Sequence, residues 1–168
     1  EGLTPLRAAL DGLAAFVGTT AERLAFVENA TSGIQAVLRS MAFAPGDEIL
    51  VTDHTYNAVR LMVEARCAET GATMRVVEFP WPLTPEGIVE AFSAAVTPAM
   101  KLAIVDHITS PTALLLPMER LVQVLKRHGG RVMVDGAHAV GHVPLALDAL
   151  GADWYVSNAH KWLWAPKG

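Results

Sequence analysis

Lys161 is a candidate nucleophile, because it follows the last apolar run of the chain and stands between His160 and Trp162. A lysine amine attacks an aldehyde only in its neutral form, and burial together with a nearby cation favours that form. A surface lysine after a strand is the alternative interpretation when Lys161 is considered alone. Its role therefore depends on the residues that the fold places around it.

Asp135 ends another apolar run, Val132–Val134, and is followed closely by His138. An aspartate at the end of a buried strand costs free energy unless it is paired. The protonated ring nitrogen of pyridoxal phosphate (PLP) is a suitable partner, because a carboxylate there keeps the ring cationic and a good electron sink. The alternatives are a helix cap, or a metal site with His138 and His142, although no His-Glu-x-x-His motif is present.

Two further turns carry side chains that suit a flat, phosphorylated ligand. In Asn29–Gly33, small residues at a predicted strand-to-helix turn let the backbone approach a phosphate, and Thr31 and Ser32 add hydroxyl donors. In Asp53–Ala58, Tyr56 could stack on a heteroaromatic ring. Ordinary capping of a helix by Thr31, and packing of Tyr56 against the next helix, explain these residues equally well in isolation.

The elements that must position these side chains alternate along the chain. Short apolar runs without clean alternation are typical of buried parallel strands, and they are Leu24–Glu28, Glu48–Thr52, Met74–Phe79, Leu102–Asp106, Val132–Asp135 and Trp154–Ser157. Helix starts are predicted at Thr4-Pro5, Thr31, Thr84-Pro85 and Pro117. The alternation predicts an α/β fold, a three-layer sandwich with a mainly parallel central sheet.

Polar residues recur just past the predicted strands. They are Asn29, Asp53, His54, Asp106, His107, Asp135 and Asn158. In parallel α/β sheets, ligands bind at the carboxyl ends of the strands. The sequence therefore predicts a site along one edge of the sheet.

Composition excludes several other classes of protein. The 168 residues suit one domain, with 52% hydrophobic and 18% charged residues and a net charge of −4. Lys and Arg are scattered, so we expect no nucleic-acid partner, and no apolar run is long enough to predict a membrane span. A single cysteine favours a cytoplasmic setting. The start at Glu1 and the stop at Gly168 suggest a fragment.

Taken together, these segments resemble the class V aminotransferase family of fold-type I PLP-dependent enzymes. The matching segments, in the family's order, are Asn29–Ile34, Asp53–Ala58, His107–Thr112, Val134–His138 and Asn158–Gly168. The amino-acid sequences of the second and last segments are most similar to those of the isopenicillin-N epimerase-like branch. The resemblance implies an enzyme that acts on an amino acid or a similar substrate through an aldimine on Lys161.

The resemblance also implies roles for individual residues. Lys161 would form the Schiff base, Asp135 would pair with the pyridinium nitrogen, and freed Lys161 would act as general base or acid. The residues implied to contact the phosphate are Thr31, the backbone near Ser32, Asn158 and His160. Those implied to face the ring or its phenolic oxygen are Tyr56, with His54 as second choice, His138 and Ser110.

The resemblance further implies that residues 1–168 belong to the PLP-binding large domain of a homodimer. The N-terminal segment, the C-terminal small domain and the arginine for the substrate carboxylate would lie outside this chain. A cysteine desulfurase or C–S lyase of the same family is the first alternative, although Cys67 falls inside a predicted helix. A metal-dependent hydrolase and a non-catalytic α/β interaction module are the alternatives from other classes.

Overall fold

The computed structural model describes residues 3–166, with side chains from Pro5 onward. The helices in this range are α1 (Leu3–Val17), α2 (Ala30–Ser40), α3 (Asn57–Thr70), α4 (Pro85–Ala95), α5 (Met118–Lys126), α6 (Leu147–Leu150) and α7 (Ala159–Trp162). The strands are β1 (Glu48–Thr52), β2 (Thr73–Val77), β3 (Met100–Asp106), β4 (Arg131–Asp135) and β5 (Trp154–Val156). None of these helices is long and apolar enough to cross a membrane.

The five strands form one sheet in the order β2-β1-β3-β4-β5, and every neighbouring pair is parallel. Parallel strands need crossover connections, and helices supply them between successive strands. The chain moves outward from β1 to β2 and then returns to the other side of β1 for β3. Such a reversal opens a crevice at the carboxyl ends of the strands.

Helices cover both faces of the sheet, which confirms the predicted three-layer α/β fold. On one face, β-strand side chains pack with Ile88 and Phe92 of α4 and Leu121 of α5. On the other face, they pack with Ile34 of α2 and Val59 of α3. The alternation of side chains along each strand supplies both cores, and this is why the strands are apolar without clean periodicity.

Helix ends follow local chemistry at two informative places. Thr84 caps α4 as predicted, since its hydroxyl accepts the N–H of Gly87 at 3.0 Å. The prediction that Thr31 caps α2 is wrong. Asn29, in extended backbone, is the cap and accepts the N–H of Ser32 at 2.9 Å. Thr31 lies inside the first turn, so its hydroxyl is not needed as the cap.

The predicted first strand, Leu24–Glu28, is also wrong. A short 3-10 helix, Ala21–Arg23, is followed by irregular chain over this apolar stretch. A strand needs a neighbour for its backbone groups, and within residues 3–166 the sheet ends at β5 without pairing to this segment. Phe26 and Val27 remain about half exposed. The predicted strand Met74–Phe79 is displaced slightly, because β2 ends at Val77.

Candidate active site

A cavity of about 220 Å³ lies at the carboxyl ends of the strands. Its lining residues come from five separate parts of the chain, and they are Asn29, Ala30, Thr31, Tyr56, Asp106, Ser110, Asp135, Ala137, His138, Asn158, His160 and Lys161. Eight of the ten residues predicted for the site are among them. The sheet therefore brings together side chains that lie up to 132 residues apart, between Asn29 and Lys161.

Asp135 is one of two deeply buried carboxyl groups that line the cavity. It is 5% exposed at the end of β4, and one of its carboxyl oxygens accepts the N–H of Ala137 at 2.9 Å. Burial raises the pKa of Asp135, while the Ala137 N–H and the charge of Lys161 oppose the rise. A buried carboxyl of this kind is stabilised by a cationic partner in the cavity.

Asp106 lies beside Asp135 on the neighbouring strand, where the two residues are Cα partners in the β3–β4 register. It is 3% exposed. Burial and, secondarily, the charge of Asp135 raise the pKa of Asp106 to about 8, against the opposing effect of backbone N–H groups, including that of Tyr56. At neutral pH the pair therefore carries fewer negative charges than two ordinary carboxylates.

Lys161 lies in α7, at the mouth of the same cavity. Its Nζ is 3.1 Å from Nε2 of His138, and Nδ1 of His138 accepts the indole N–H of Trp162 at 3.3 Å. Burial lowers the pKa of His138, and the nearby Lys161 and His142 lower it further. Two residues of α7 thus contact the imidazole, one at each ring nitrogen, and burial disfavours its cationic form.

The start of α2 forms the other side of the cavity. Asn158, which is 8% exposed, accepts the N–H of Ala30 through Oδ1 at 2.8 Å. Because Oδ1 is the acceptor in this bond, the amide nitrogen of Asn158 retains its two N–H donors for another group. Thr31 and His160 line the same region. These are hydroxyl, amide and imidazole groups, a donor set suited to an anion.

Tyr56 lines the cavity immediately before α3 and is 45% exposed. Its ring is therefore available for contact with a ligand, in contrast to a ring buried in the helix packing. Ser110 reaches the cavity from the loop after β3. That loop is braced from within, because the hydroxyl of Thr109 accepts the N–H of Leu114 at 2.8 Å.

Two of the predicted site residues are placed elsewhere. His54 bonds through Nδ1 to Asp53 at 2.8 Å, and its ring stacks on Phe79 with centroids 4.6 Å apart. Ser32 uses its N–H for the Asn29 cap, and its hydroxyl lies 3.4 Å from Glu28. Neither lines the cavity.

A second layer behind Asp135 holds the end of β4 in place. The hydroxyl of Tyr155 bonds to Nδ1 of His107 at 2.9 Å. The ring of Tyr155 packs so closely on Gly136 that any Cβ added there would overlap it. The hydroxyl of Ser157 donates to the Gly136 carbonyl at 2.7 Å. Gly136 is therefore required by close packing directly next to Asp135.

Sequence reasoning missed the positions of Asp106 and Trp162 in the site. The sequence pattern predicts Asp106 only as a polar residue at a strand end, although its place at the end of β3 matches that of Asp135 in β4. Equivalent positions in adjacent strands are the signal that could have paired them. Trp162 was expected only as an apolar neighbour of Lys161, and its indole N–H bond depends on tertiary structure.

The residues of the alternative metal site do not converge. His142 directs Nδ1 to the backbone carbonyl of His138 at 3.2 Å and stacks on Trp162, with centroids 4.3 Å apart. Across the described part of the chain, no group of three His, Cys, Asp or Glu side chains is placed to hold a metal ion. The geometry therefore gives the metal-hydrolase alternative no support.

The parallel α/β sheet and a cavity with lysine, buried carboxyl and anion-binding groups at its carboxyl edge define an α/β protein with a cofactor-type site. The family model for class V aminotransferases matches residues 4–168. The chain belongs to this family, which confirms the resemblance found in the sequence.

Relatives of known name cover nearly all of the chain. Isopenicillin N epimerase of Amycolatopsis lactamdurans is 39% identical over 164 residues, which are 95% of this chain and 41% of the relative. L-cysteine desulfhydrase of Arabidopsis thaliana is 31% identical over 160 residues, 86% of this chain and 35% of the relative. The chain thus spans about two fifths of the length of the curated relatives that it matches.

Solved structures show the same fold. The cystine C–S lyase C-DES in complex with its product cysteine persulfide matches with a TM-score of 0.88 and 28% identity, over 99% of this chain and 45% of that one. A mutant of C-DES with glycine covalently linked to its PLP cofactor matches with a TM-score of 0.89 at the same identity and coverage.

Proposed function

We propose that the cavity binds PLP on Lys161 and serves an enzyme that acts on an amino acid or an amino-acid-like substrate. The observation that carries the proposal is the convergence of the Lys161 amine and the buried Asp135 carboxyl in one cavity with three anion-binding side chains. These groups fit the aldehyde, the ring nitrogen and the phosphate of PLP. Membership of the class V aminotransferase family supports the same cofactor.

Asp135 pairs with the ring nitrogen in this proposal. Its carboxyl is buried and its pKa is raised by burial, so a cationic partner stabilises the ionised form. PLP, when bound, supplies an electron sink for the carbon next to the substrate amine. The contribution of Asp135 is to keep the ring nitrogen protonated, which maintains that property.

Thr31, Asn158 and His160 hold the phosphate. The amide N–H groups of Asn158 are oriented by the bond that its Oδ1 accepts from Ala30. Thr31 supplies a hydroxyl that is not used to cap α2. Ser32 acts indirectly, because its N–H ties Asn29 into the turn that positions Thr31.

Tyr56 is the aromatic residue that stacks on the ring, and this choice is preferred to His54. Tyr56 lines the cavity, while the His54 ring is already stacked on Phe79 and bonded to Asp53. His138 and Ser110, which also line the cavity, would face the phenolic oxygen. Lys161 would act as general base or acid at the substrate carbon, and Nε2 of His138 lies 3.1 Å from its Nζ.

The reaction belongs to the epimerase-like or C–S lyase-like branch, as the names of the relatives suggest. A desulfurase that used Cys67 as nucleophile is disfavoured. Cys67 lies in α3, about 16 Å along the helix axis from Tyr56. Burial also raises the pKa of its thiol, which lowers the fraction of reactive thiolate.

The proposal extends to the assembly of the protein and its location in the cell. Residues 1–168 form part of the PLP-binding large domain of a homodimer in the cytoplasm. Large apolar side chains remain exposed on the described surface, among them Phe26, Leu115, Trp81 and Trp164, and an apolar surface favours association. Transamination, a transferase reaction, is the third alternative beside epimerisation and C–S cleavage.

Absorption spectroscopy tests the proposed function. PLP added to the purified protein should produce the visible band of cofactor attached to lysine, and Lys161→Ala should abolish this band. The control is Lys126→Ala, because Lys126 lies on α5 and pairs with Asp153 away from the cavity. An unchanged band in Lys161→Ala, or no band in the wild type, would overturn the proposal.

A further inference from the structure

Asp106 lines the cavity together with Asp135, but the cofactor contacts proposed above do not use it. In β3, Asp106 lies two residues after Ile104, whose side chain packs on the sheet face covered by α2 and α3. In β4, Asp135 lies two residues after Met133, which packs on the same face. Because side chains alternate along a strand, both carboxyl groups point to that face, where they lie side by side.

Asp106 and Asp135 form a close pair, which we call the carboxyl pair. They are Cα partners on adjacent parallel strands, and such strands lie about 4.8 Å apart. Asp106 is 3% exposed and Asp135 is 5% exposed. Two negative charges so close together repel each other strongly in a buried site, because little water screens them. A proton on one of the two carboxyl groups removes this repulsion.

Within residues 3–166, no ion pair neutralises the carboxyl pair. The ion pairs of this range join other carboxylates to lysine, arginine or histidine, and neither Asp106 nor Asp135 takes part in one. The charge of Lys161 acts on Asp135 without forming such a contact. The carboxyl pair therefore remains available to a further positive charge.

Other titratable side chains lie around the carboxyl pair. On the cavity side they are Tyr56, His138, His160 and Lys161, and on the opposite face of the sheet they are His107 and Tyr155. The positive charge of Lys161 favours the ionised form of Asp135, whereas the negative charge of Asp135 opposes ionisation of Asp106. Burial, and then this charge, raise the pKa of Asp106 to about 8. At pH 7, about nine tenths of Asp106 therefore carries the proton.

We propose that Asp106 and Asp135 act as one cation-binding unit, in which Asp106 holds a proton in the cofactor-free protein and releases it to solvent when the pair binds a cationic ring nitrogen. A ring nitrogen beside Asp135 neutralises the charge that opposes ionisation of Asp106. The site thus exchanges one positive charge, the proton, for another. Asp106 thereby makes binding of the cofactor depend on pH. This inference rests on the proposed binding of PLP in the cavity.

Calorimetry with a cofactor analogue that lacks the aldehyde tests this exchange. The probe is 4-deoxypyridoxine 5′-phosphate, which keeps the ring nitrogen and the phosphate but cannot form a Schiff base with Lys161. Its heat of binding at pH 7, measured in two buffers of different ionisation enthalpy, gives the number of protons released. Per bound probe, the wild type should release at least about half a proton more than Asp106→Asn, because the amide has no proton to release.

The dissociation constant of the probe gives a second readout. Because a released proton favours binding as the pH rises, the affinity of the wild type relative to Asp106→Asn should increase by at least about threefold per pH unit between about pH 6 and about pH 8. Asp11→Asn, at an exposed position of α1, is the control and should match the wild type in both readouts. If Asp106→Asn does not fold, Asp106→Ser replaces it, since its hydroxyl does not titrate in this range.

Carbon-13 NMR of the cofactor-free protein with labelled aspartate carboxyl groups measures the proton on Asp106 directly. The Asp106 signal is assigned by its loss in the Asp106 variant. It should titrate well above the range of an ordinary aspartate, and at lower pH in Asp135→Asn, where the like charge is missing. Titration of Asp106 in the ordinary range would overturn the inference.

The calorimetric outcomes separate this inference from the proposed function. Binding of the probe with equal proton release by the wild type and the Asp106 variant would overturn the inference alone. A wild-type protein that binds no probe would overturn both the inference and the proposed cofactor site.

Discussion

The carboxyl groups of Asp106 and Asp135 end two adjacent parallel strands as partners in register, and both are at least 95% buried. Ionising both carboxyl groups costs free energy, because two like charges would then lie close together in a buried site. The folded, cofactor-free protein therefore keeps a proton on this pair at pH values at which the unfolded chain has released it. A cationic ring nitrogen beside Asp135 would relieve this repulsion. The pair therefore makes the folding stability of the cofactor-free protein depend on pH.

Stability of the cofactor-free protein should fall as the pH rises from about 4 to about 8. Asp106 loses its proton near pH 4 when unfolded and at about 8 when folded, so the folded state holds the extra proton in this window. The free energy of unfolding then decreases by up to about 1.4 kcal/mol per pH unit from this group. Urea denaturation at several pH values measures this decrease in the free energy of unfolding.

Asp106→Asn should reduce this dependence, because the amide cannot ionise. As the pH rises from about 4 to about 8, the free energy of unfolding of Asp106→Asn should increase relative to that of the wild type. Parallel curves for the two proteins would show that Asp106 does not hold its proton in the folded state.

Asp135→Asn should weaken PLP binding at least about 30-fold, because removing one member of a buried charge pair costs about 2 kcal/mol or more. Equilibrium titration followed by absorption measures the dissociation constant. Asp11→Asn, at an exposed position of α1, is the matched control and should bind as the wild type does. Equal affinities for Asp135→Asn and the wild type would remove the ring-nitrogen role.

Tyr56→Ala should weaken PLP binding roughly threefold to tenfold, since an aromatic stacking contact contributes about 0.5–1.5 kcal/mol. His54→Ala should change the same affinity less than about twofold, because His54 stacks on Phe79 outside the cavity. The paired titrations choose between the two residues. A larger effect for His54→Ala would reverse the assignment.

Gly136→Ala should destabilise the protein by roughly 1–3 kcal/mol, because the added Cβ overlaps the ring of Tyr155, which is tied to His107. Gly12→Ala is the matched control, in the middle of α1 with no atom within 4 Å of the added Cβ. It should stabilise the protein by about 1 kcal/mol through helix propensity. Thermal or urea unfolding of both variants compares them, and a neutral Gly136→Ala would contradict the packing account.

Much of the fold follows from local patterns. The apolar runs ending at Thr52, Asp106 and Asp135 are strands as predicted, and Thr84-Pro85 starts α4. Leu24–Glu28 has the composition of a strand, but a strand exists only with a paired neighbour, and composition does not supply one. The pairing is a property of the whole sheet.

The site was predictable where motif and strand end coincide, as at Lys161 and Asp135. It was less predictable where the direction of a side chain decides, as for His54, which follows the same strand as Tyr56 but turns toward Phe79. The contacts of Trp162 with His138 join residues 24 positions apart, and no local signal identifies them. Side-chain direction and close packing arise only in the folded chain.

Reduction with borohydride followed by peptide mass spectrometry tests the central claim most directly. Borohydride converts cofactor attached to a lysine into a stable secondary amine, so the modified residue can be located. The account predicts that wild-type protein incubated with PLP carries the cofactor mass on the peptide containing Lys161, and that Lys161→Ala carries none at this position. Reduced cofactor on another lysine, with Lys161 unmodified, would contradict it.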